Sequence, residues 1–502
     1  MLDKALIGFL AGIAFVLVFL RRKELAPLPP GPKPLPLLGN ILQLKEKYMW
    51  KLAVDWYKEY GKLVYANAAG IPMIFINDFQ ANEDLINMRG DKYADKPKMV
   101  MLNELCGGKY ILAFIGTDDA ERVLRQRRIM KKALGPGAIP SYELSMETST
   151  RQLLLDLTSK KTTIEGALLM YTSSVTLSIL YGHQVVSSDD ELVKITGEAA
   201  EVLSNKIAAG TKVWAVDILP FLRHIPAWFP GAAFKRLAAE WKAVLERSVN
   251  VPYERSVEEI RQGRAVASAV LISLGEDPKP SPEYDLDLRW SLNAMYLGSI
   301  DSSIAGLENF ILAMVKYPEV LKKAQEEIDS AVGRSRLPTF SDRSSLPYVE
   351  AMLTETLRWG CPVPLNFPHL SVEDVYEGYR IPKGSYVLGN LWVMSRDERL
   401  YPDPEVFRPE RFLGHPYTED KAFNPWNYIF GTGKRKCPGV HLIQSSLWLV
   451  IARVVAALDI KPKVVNGVPI EVNLKEKNAF FRMYDGLECE ITTRAHVNLD
   501  QL

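Results

Sequence analysis

Phe430-Gly431-Thr432-Gly433-Lys434-Arg435-Lys436-Cys437-Pro438-Gly439 sets a single cysteine between a glycine-rich cationic turn and a strongly apolar stretch. That stretch predicts a helix from Val440 to about Leu458. Pro438 suits a first helical turn, where its missing N–H costs nothing. Cys437 is therefore expected just before a helix N-terminus, where free amide donors and the positive dipole end favour a thiolate. Beneath a turn lined by glycine, such a sulfur can approach a flat ligand closely on one side. A single cysteine in a Gly-rich loop is equally compatible with a buried, inert thiol. Zinc is disfavoured, because no further Cys or His stands at structural-zinc spacing and Cys437 with His441 makes only half a site.

Further segments stand upstream in a fixed order. Glu355-Thr356-Leu357-Arg358 lies within Tyr348 to Trp359, which has helical apolar spacing. Residues three apart share a helix face, so Glu355 and Arg358 can pair. Phe407-Arg408-Pro409-Glu410-Arg411-Phe412 follows about fifty residues later, after short strand-and-turn segments at Tyr379 to Gly384 and Asn390 to Trp392. Trp290 to Val315 is long, apolar and helical in period, and contains Gly298-Ser299-Ile300-Asp301-Ser302-Ser303. An acid in the middle of such a helix is costly without a purpose.

Taken together, these motifs resemble the haem loop, Glu-x-x-Arg helix, Pro-Glu-Arg-Phe element and distal helix of the cytochrome P-450 family. The resemblance extends from Pro29 onward and is weakest between about Ala138 and Trp290. It implies a mainly α fold with small β-sheet regions and a single large catalytic domain, here residues 41–502. It implies haem b with Cys437 as the axial iron ligand, cradled by Phe430 and Gly431. Glu355, Arg358 and Arg411 would form a structural network behind the cofactor. Arg435, Arg127, His369 and Lys96 match positions that reach the haem propionates. Two of these depart from the pattern: Val123 replaces the tryptophan four residues before Arg127, and Lys96 replaces an arginine with a point charge.

On the distal helix the resemblance implies that Asp301 and Ser302 relay protons to bound dioxygen. Ser302 keeps the hydroxyl of the customary threonine but lacks the methyl that restricts its rotamer. Ser299 stands where glycine is usual, and serine can bend a helix by bonding back to a carbonyl. The reaction implied is insertion of one oxygen atom from O2 into an apolar small molecule, a hydroxylation or epoxidation of the kind found in terpenoid and other secondary metabolism. An isomerase or dehydratase working without a reductase, and a non-catalytic haem-thiolate binding protein, are the alternatives. Substrate contacts would come from Lys98 to Leu112, the first half of the distal helix, Pro362 to Phe367, and Phe480-Phe481.

Composition agrees. By length alone, 502 residues would suggest about three domains, yet motifs spread from Trp290 to Gly439 must converge on one cofactor. Cys106, Cys361, Cys437 and Cys489 are too scattered for a disulfide framework, which fits a reducing compartment. A net charge of +1 argues against nucleic acid as a partner. No Gly-x-Gly-x-x-Gly opens a helix after a strand, so electrons from NADPH must arrive through another protein. The family resemblance names it as NADPH-cytochrome P-450 reductase, with cytochrome b5 as a second donor. Arg122, Arg125, Arg128 and Lys132 share one side of an expected helix and, with Lys434 to Lys436, would offer a cationic docking face.

At the N-terminus, Ala5 to Leu20 is an uninterrupted apolar run followed by Arg21-Arg22-Lys23. Its length is at the short edge of a bilayer span and also suits a signal peptide. The absence of a small-x-small site and the basic residues that follow favour a retained anchor with a cytosolic C-terminal side. Residues 1–23 are thus expected to be a transmembrane anchor with a basic stop. Residues 24–40, with Pro29-Pro30-Gly31-Pro32, are expected to be a stiff proline-rich hinge. This opening resembles that of microsomal members, implying a single-pass protein of the endoplasmic reticulum membrane. Phe221 to Phe229, similar in wording to fungal members, is a candidate second lipid contact.

Overall fold

The computed structural model describes residues 26–499 except 47, 160, 208–213, 276–279, 415–419, 466–467, 470–473 and 478–479. The expected anchor at residues 1–23 lies outside the described residues. Helices dominate, and the sheets are small. Strands β1 (Leu63–Ala68) and β2 (Ile71–Ile76) form a hairpin in register from Leu63↔Ile76 to Ala68↔Ile71. Its two-residue turn, Ala69-Gly70, has φ of 50° and 96°, the sign that tight hairpins require at both positions. Strand β3 (His369–Leu370) and strand β4 (Tyr386–Gly389) complete the sheet in the order β1-β2-β4-β3, with β2 and β4 parallel. Asn390 to Trp392 is not a strand: Asn390 caps a short helix, Leu391–Met394, by accepting from Val393 N–H.

The proline-rich segment is docked rather than free. Pro30 C=O accepts from Tyr65 N–H at 2.9 Å and Pro27 C=O from Arg380 N–H at 2.7 Å. A Cβ at Gly31 would lie 1.9 Å from Tyr65 O, so only glycine fits there. Stiffness keeps the segment extended, and extension lets it lie along β1.

Six helices position the site: α1 (Ala120–Leu134), α2 (Ile164–Tyr181), α3 (Glu191–Glu201), α4 (Pro282–Lys316), α5 (Pro347–Gly360) and α6 (Val440–Ala457). Helix α4 is the expected distal helix, extended to 35 residues because Ser281 caps it and Pro282 occupies its first turn. It is the spine of the main core. Tyr296 Oη meets Ser173 Oγ of α2 at 3.2 Å, and a Cβ at Gly306 would lie 3.7 Å from Leu447 of α6. Helices α2 and α6 are long and apolar enough to cross a membrane, but most of each is buried inside the protein. They are core helices, apolar all round because protein surrounds them. Strands β5 (Lys475–Glu476) and β6 (Tyr484–Asp485) pair near the C-terminal end of the chain.

Candidate active site

The cysteine loop is shaped by its glycines. Gly431 and Gly433 have φ of 70° and 65°, and a Cβ at Gly433 would fall 2.4 Å from Ile86 O. Around Gly431 there is open space instead. Cys437 N–H donates to Phe430 O at 2.8 Å, closing the loop. The Phe430 ring stacks on Trp426 with centroids 5.4 Å apart and planes inclined by 7°. Trp426 Nε1 donates to Thr354 Oγ1 of α5 at 3.2 Å, which ties the loop to the helix behind it. The helix starts at Val440 as expected, with Gly439 as its cap and Pro438 just before it.

Cys437 retains exposed surface although protein packs closely around its sulfur, so that surface is the wall of an interior cleft. Desolvation pushes its thiol above the usual range, against the Gly439 N–H and the charges of Arg127 and Lys436, which favour the thiolate. The helix terminus favours the thiolate, as expected, but burial opposes it more strongly. Burial is the larger effect in the ligand-free chain, and a bound metal ion is what deprotonates a coordinating thiol.

Beside the loop lies a cationic cluster. Arg435 donates to Ala94 O, Leu112 O and Ile115 O at 2.8, 3.4 and 2.9 Å. Arg127 donates to Lys436 O at 3.3 and 3.2 Å. Lys96, 5% exposed, donates to Pro368 O at 3.1 Å. Burial, then the charge of Arg435, lowers the Lys96 ammonium to about 7, while Asp95 opposes the shift. Among the described residues none of these three cations forms an ion pair with a carboxylate. Carbonyls satisfy hydrogen bonds but do not neutralise charge, so the cluster lacks anions. Two propionates would supply them, and the Cys437 thiol on an interior cleft could ligate a haem iron. The donor set thus fits haem. His369 Nδ1 donates to Tyr93 O at 2.7 Å, and burial, then the charge of Lys96, lowers the ring's pKa. With Nδ1–H donated there, the backbone of Tyr93 fixes the ring's orientation.

Glu355 and Arg358 meet on α5 as a fork, Nε to Oε2 at 2.6 Å and Nη2 to Oε1 at 2.7 Å. Arg358 also donates to Ser395 O and Pro404 O, both at 2.9 Å, and Arg411 Nε approaches Glu355 Oε1 to 3.6 Å. The three expected network residues are brought together and buried.

On α4, Asp301 and Ser302 do not face each other. Neighbours in a helix point about 100° apart. Ser302 Oγ donates to Gly298 O at 2.8 Å, where Gly298 is open. Asp301 turns instead toward Ser204, in a π-helical turn at Val202–Ile207, and its Oδ2 is buried with no hydrogen-bond partner among the described residues. Desolvation raises its carboxyl, with Glu201 and Glu165 adding to the rise and Ser204 and Lys477 opposing it. Ser299 bonds back to Tyr296 O at 2.8 Å and meets Thr176 Oγ1 at 3.1 Å, which holds α4 against α2.

Aromatic rings from separate segments meet nearby: Phe367 packs edge-on to Phe114 at 5.8 Å and stacks on Phe480 at 4.9 Å. The expected cationic docking face is reduced. Arg122 and Arg125 turn inward to Asp287 of α4, which has no exposed surface, at 2.6 and 2.7 Å. Lys132 donates to Ile272 O at 3.0 Å. A buried carboxylate demands partners, and these arginines are the ones in reach. Arg128, Lys131, Lys434 and Lys436 retain exposed or half-exposed positions. Sequence reasoning missed Asp287, Ser204 and Trp426, whose partners lie far away along the chain.

A mainly helical fold with an unpaired thiol under a cationic, anion-deficient loop defines a haem-thiolate protein. A model of the family described as Cytochrome P450 matches residues 29–480. The chain is 36% identical over 447 residues to cytochrome P450 monooxygenase 176 of Postia placenta, covering 88% of this chain and 85% of that one. It is 35% identical over 480 residues to cytochrome P450 monooxygenase claT of Ampulloclitocybe clavipes, covering 94% and 92%. Cytochrome P450 monooxygenase COX2 of Coprinopsis cinerea is 32% identical over 493 residues, covering 97% and 93%. The chain belongs to the cytochrome P450 family and is an enzyme of its monooxygenase class.

Proposed function

We propose that this enzyme inserts one oxygen atom from O2 into an apolar small molecule, with electrons from NADPH delivered by a separate reductase. The observation that carries the reading is Cys437 on an interior cleft beside the unneutralised cluster of Arg435, Arg127 and Lys96. In this reading Cys437 Sγ would ligate the haem iron and the three cations would hold the propionates. Bound there, haem supplies dioxygen activation and the oxidation itself.

The chain's own residues bind, orient and deliver protons. Phe114, Phe367 and Phe480 form an aromatic wall against which an apolar substrate packs and from which water is excluded. Ser302 presents a hydroxyl, donor and acceptor at once, at the open stretch of α4. Asp301, its carboxyl raised by burial, stands on the far side of that turn as the acid that passes protons on, by rotation or through water. Retention of both acid and hydroxyl favours oxygen insertion over rearrangement by an isomerase or dehydratase. Glu355, Arg358 and Arg411 fix the cysteine loop from behind.

The reading places the enzyme in the endoplasmic reticulum membrane, anchored by residues 1–23 with the catalytic domain in the cytosol. Phe221 and Trp228, 63% and 79% exposed beside Arg223 and Arg236, support a second lipid contact. NADPH consumption by the haem-loaded protein, with and without reductase, tests the proposal. Reductase-dependent consumption supports it, and turnover of an oxidised substrate without reductase favours the isomerase reading.

A further inference from the structure

Helix α4 carries a second buried acid. Glu308 is 1% exposed and lies two turns from Asp301, a spacing of seven residues that puts both on one face about 10 Å apart. Its Oε2 accepts from Tyr484 N–H of β6 at 3.0 Å. Burial raises its carboxyl to about 7, opposed by that N–H and by Lys477 and reinforced by Glu165. The same two residues, Lys477 just after β5 and Glu165 in the first turn of α2, act on Asp301. They form an ion pair at 2.5 Å, with 25% and 54% of their side chains exposed. Both buried acids therefore feel the charges of one partly open ion pair, and Asp301 Oδ2 is buried with no hydrogen-bond partner among the described residues.

We propose that Glu308 is a positioning residue for proton supply, the inner store of an inlet that runs from solvent at Lys477–Glu165 to Asp301. The inference rests on the monooxygenase reading. In it the Glu308 carboxylic acid gives its proton through bridging water to the Asp301 carboxylate, and the Glu308 carboxylate is reprotonated from solvent at the ion pair. Tyr484 N–H contacts Glu308, and the charges that act on it are Lys477 and Glu165. The groups acting on Asp301 are Ser204, Glu201, Tyr296, Lys477 and Glu165. Two acids with raised affinity for protons in line with one entrance suit a reaction that takes up protons on demand.

The test uses the full-length, haem-loaded chain with reductase, NADPH and dioxygen as probes. The share of NADPH electrons recovered as hydrogen peroxide is measured across pH for wild type, Glu308→Gln, Glu308→Asp and Glu165→Gln. Infrared difference spectra of the same proteins follow the carbonyl stretch of protonated carboxyl groups, a readout independent of turnover. In wild type the peroxide share rises as pH passes through about 7, and a carboxyl band titrates there. Glu308→Gln removes the band and reduces the acid-to-alkaline ratio of peroxide share to about one, at the high level. Glu308→Asp restores a step, and Glu165→Gln moves its midpoint. A Glu308→Gln enzyme that keeps the wild-type step overturns the inference while leaving the monooxygenase reading intact. Wild type without reductase-dependent NADPH consumption contradicts that reading instead. Absence of a band titrating near neutrality overturns the inference whichever way turnover comes out.

Discussion

Glu355 receives both arms of the Arg358 guanidinium, at 2.6 and 2.7 Å, where neither side chain has any exposed surface. A buried pair of this kind is a poor source of net stability but a strict geometric constraint, because breaking it leaves an unmatched charge. Arg408 N–H, at 2.8 Å from Glu355 Oε1, carries that constraint into the segment leading toward the cysteine loop.

Arg358→Ala or Glu355→Ala is therefore expected to cost about 3–5 kcal/mol. Replacing both with apolar residues of similar volume costs less than either single change. Denaturant unfolding of the four proteins checks this, together with the ratio of haem to protein after purification. Additive single and double effects would show that the two side chains do not act as a pair.

Lys96 sets stability against cofactor retention. Lys96→Met is expected to stabilise the haem-free chain by about 1–4 kcal/mol, since it removes a buried cation without a counter-charge. The same change hastens haem loss. Melting of the haem-free protein and transfer of haem to an excess of an apoglobin measure the two effects separately.

Glu308 also makes stability depend on pH. Its folded pKa is raised from an ordinary 4.5 to about 7, so the folded chain binds a proton that the unfolded chain releases in between. The contribution is fully present below the ordinary value and is lost as pH rises through about 7, a loss of about 3 kcal/mol. Glu308→Gln, uncharged at every pH, removes that slope. Melting temperatures of wild type and variant are expected to diverge in favour of the variant on the alkaline side only.

Asp287 and the docking face make opposite predictions. Asp287→Ala leaves Arg122 and Arg125 without their buried partner and destabilises the protein by about 3–5 kcal/mol. Arg128→Glu and Lys436→Glu leave stability almost unchanged and weaken reductase association, most strongly at low salt. Titration of NADPH-supported turnover against reductase at two ionic strengths distinguishes the groups.

The readable parts of this sequence were those whose chemistry is local. Gly433 is required by one carbonyl, Pro438 by a helix start, and Glu355 with Arg358 by a three-residue spacing, so the cysteine loop and α5 were legible. Helix α4 was legible in its apolar core, and its N-terminal extension rests on a Ser-Pro cap. What escaped depends on distant partners. Arg122 and Arg125 look like a solvated face until Asp287, over 160 residues away, is placed against them. His369 matched a propionate position in sequence, but its anchoring through Nδ1 to the backbone of Tyr93 was not legible there. Asp301 and Ser302 are adjacent in sequence and for that reason point apart.

The central claim is that Cys437 holds haem iron through its thiolate. The most direct measurement is the absorption spectrum of the reduced protein under carbon monoxide, for wild type and Cys437→Ala side by side. The account predicts a strongly red-shifted Soret band in wild type that is absent from the variant. A wild type that carries no haem, or a variant that retains the shifted band, would contradict it.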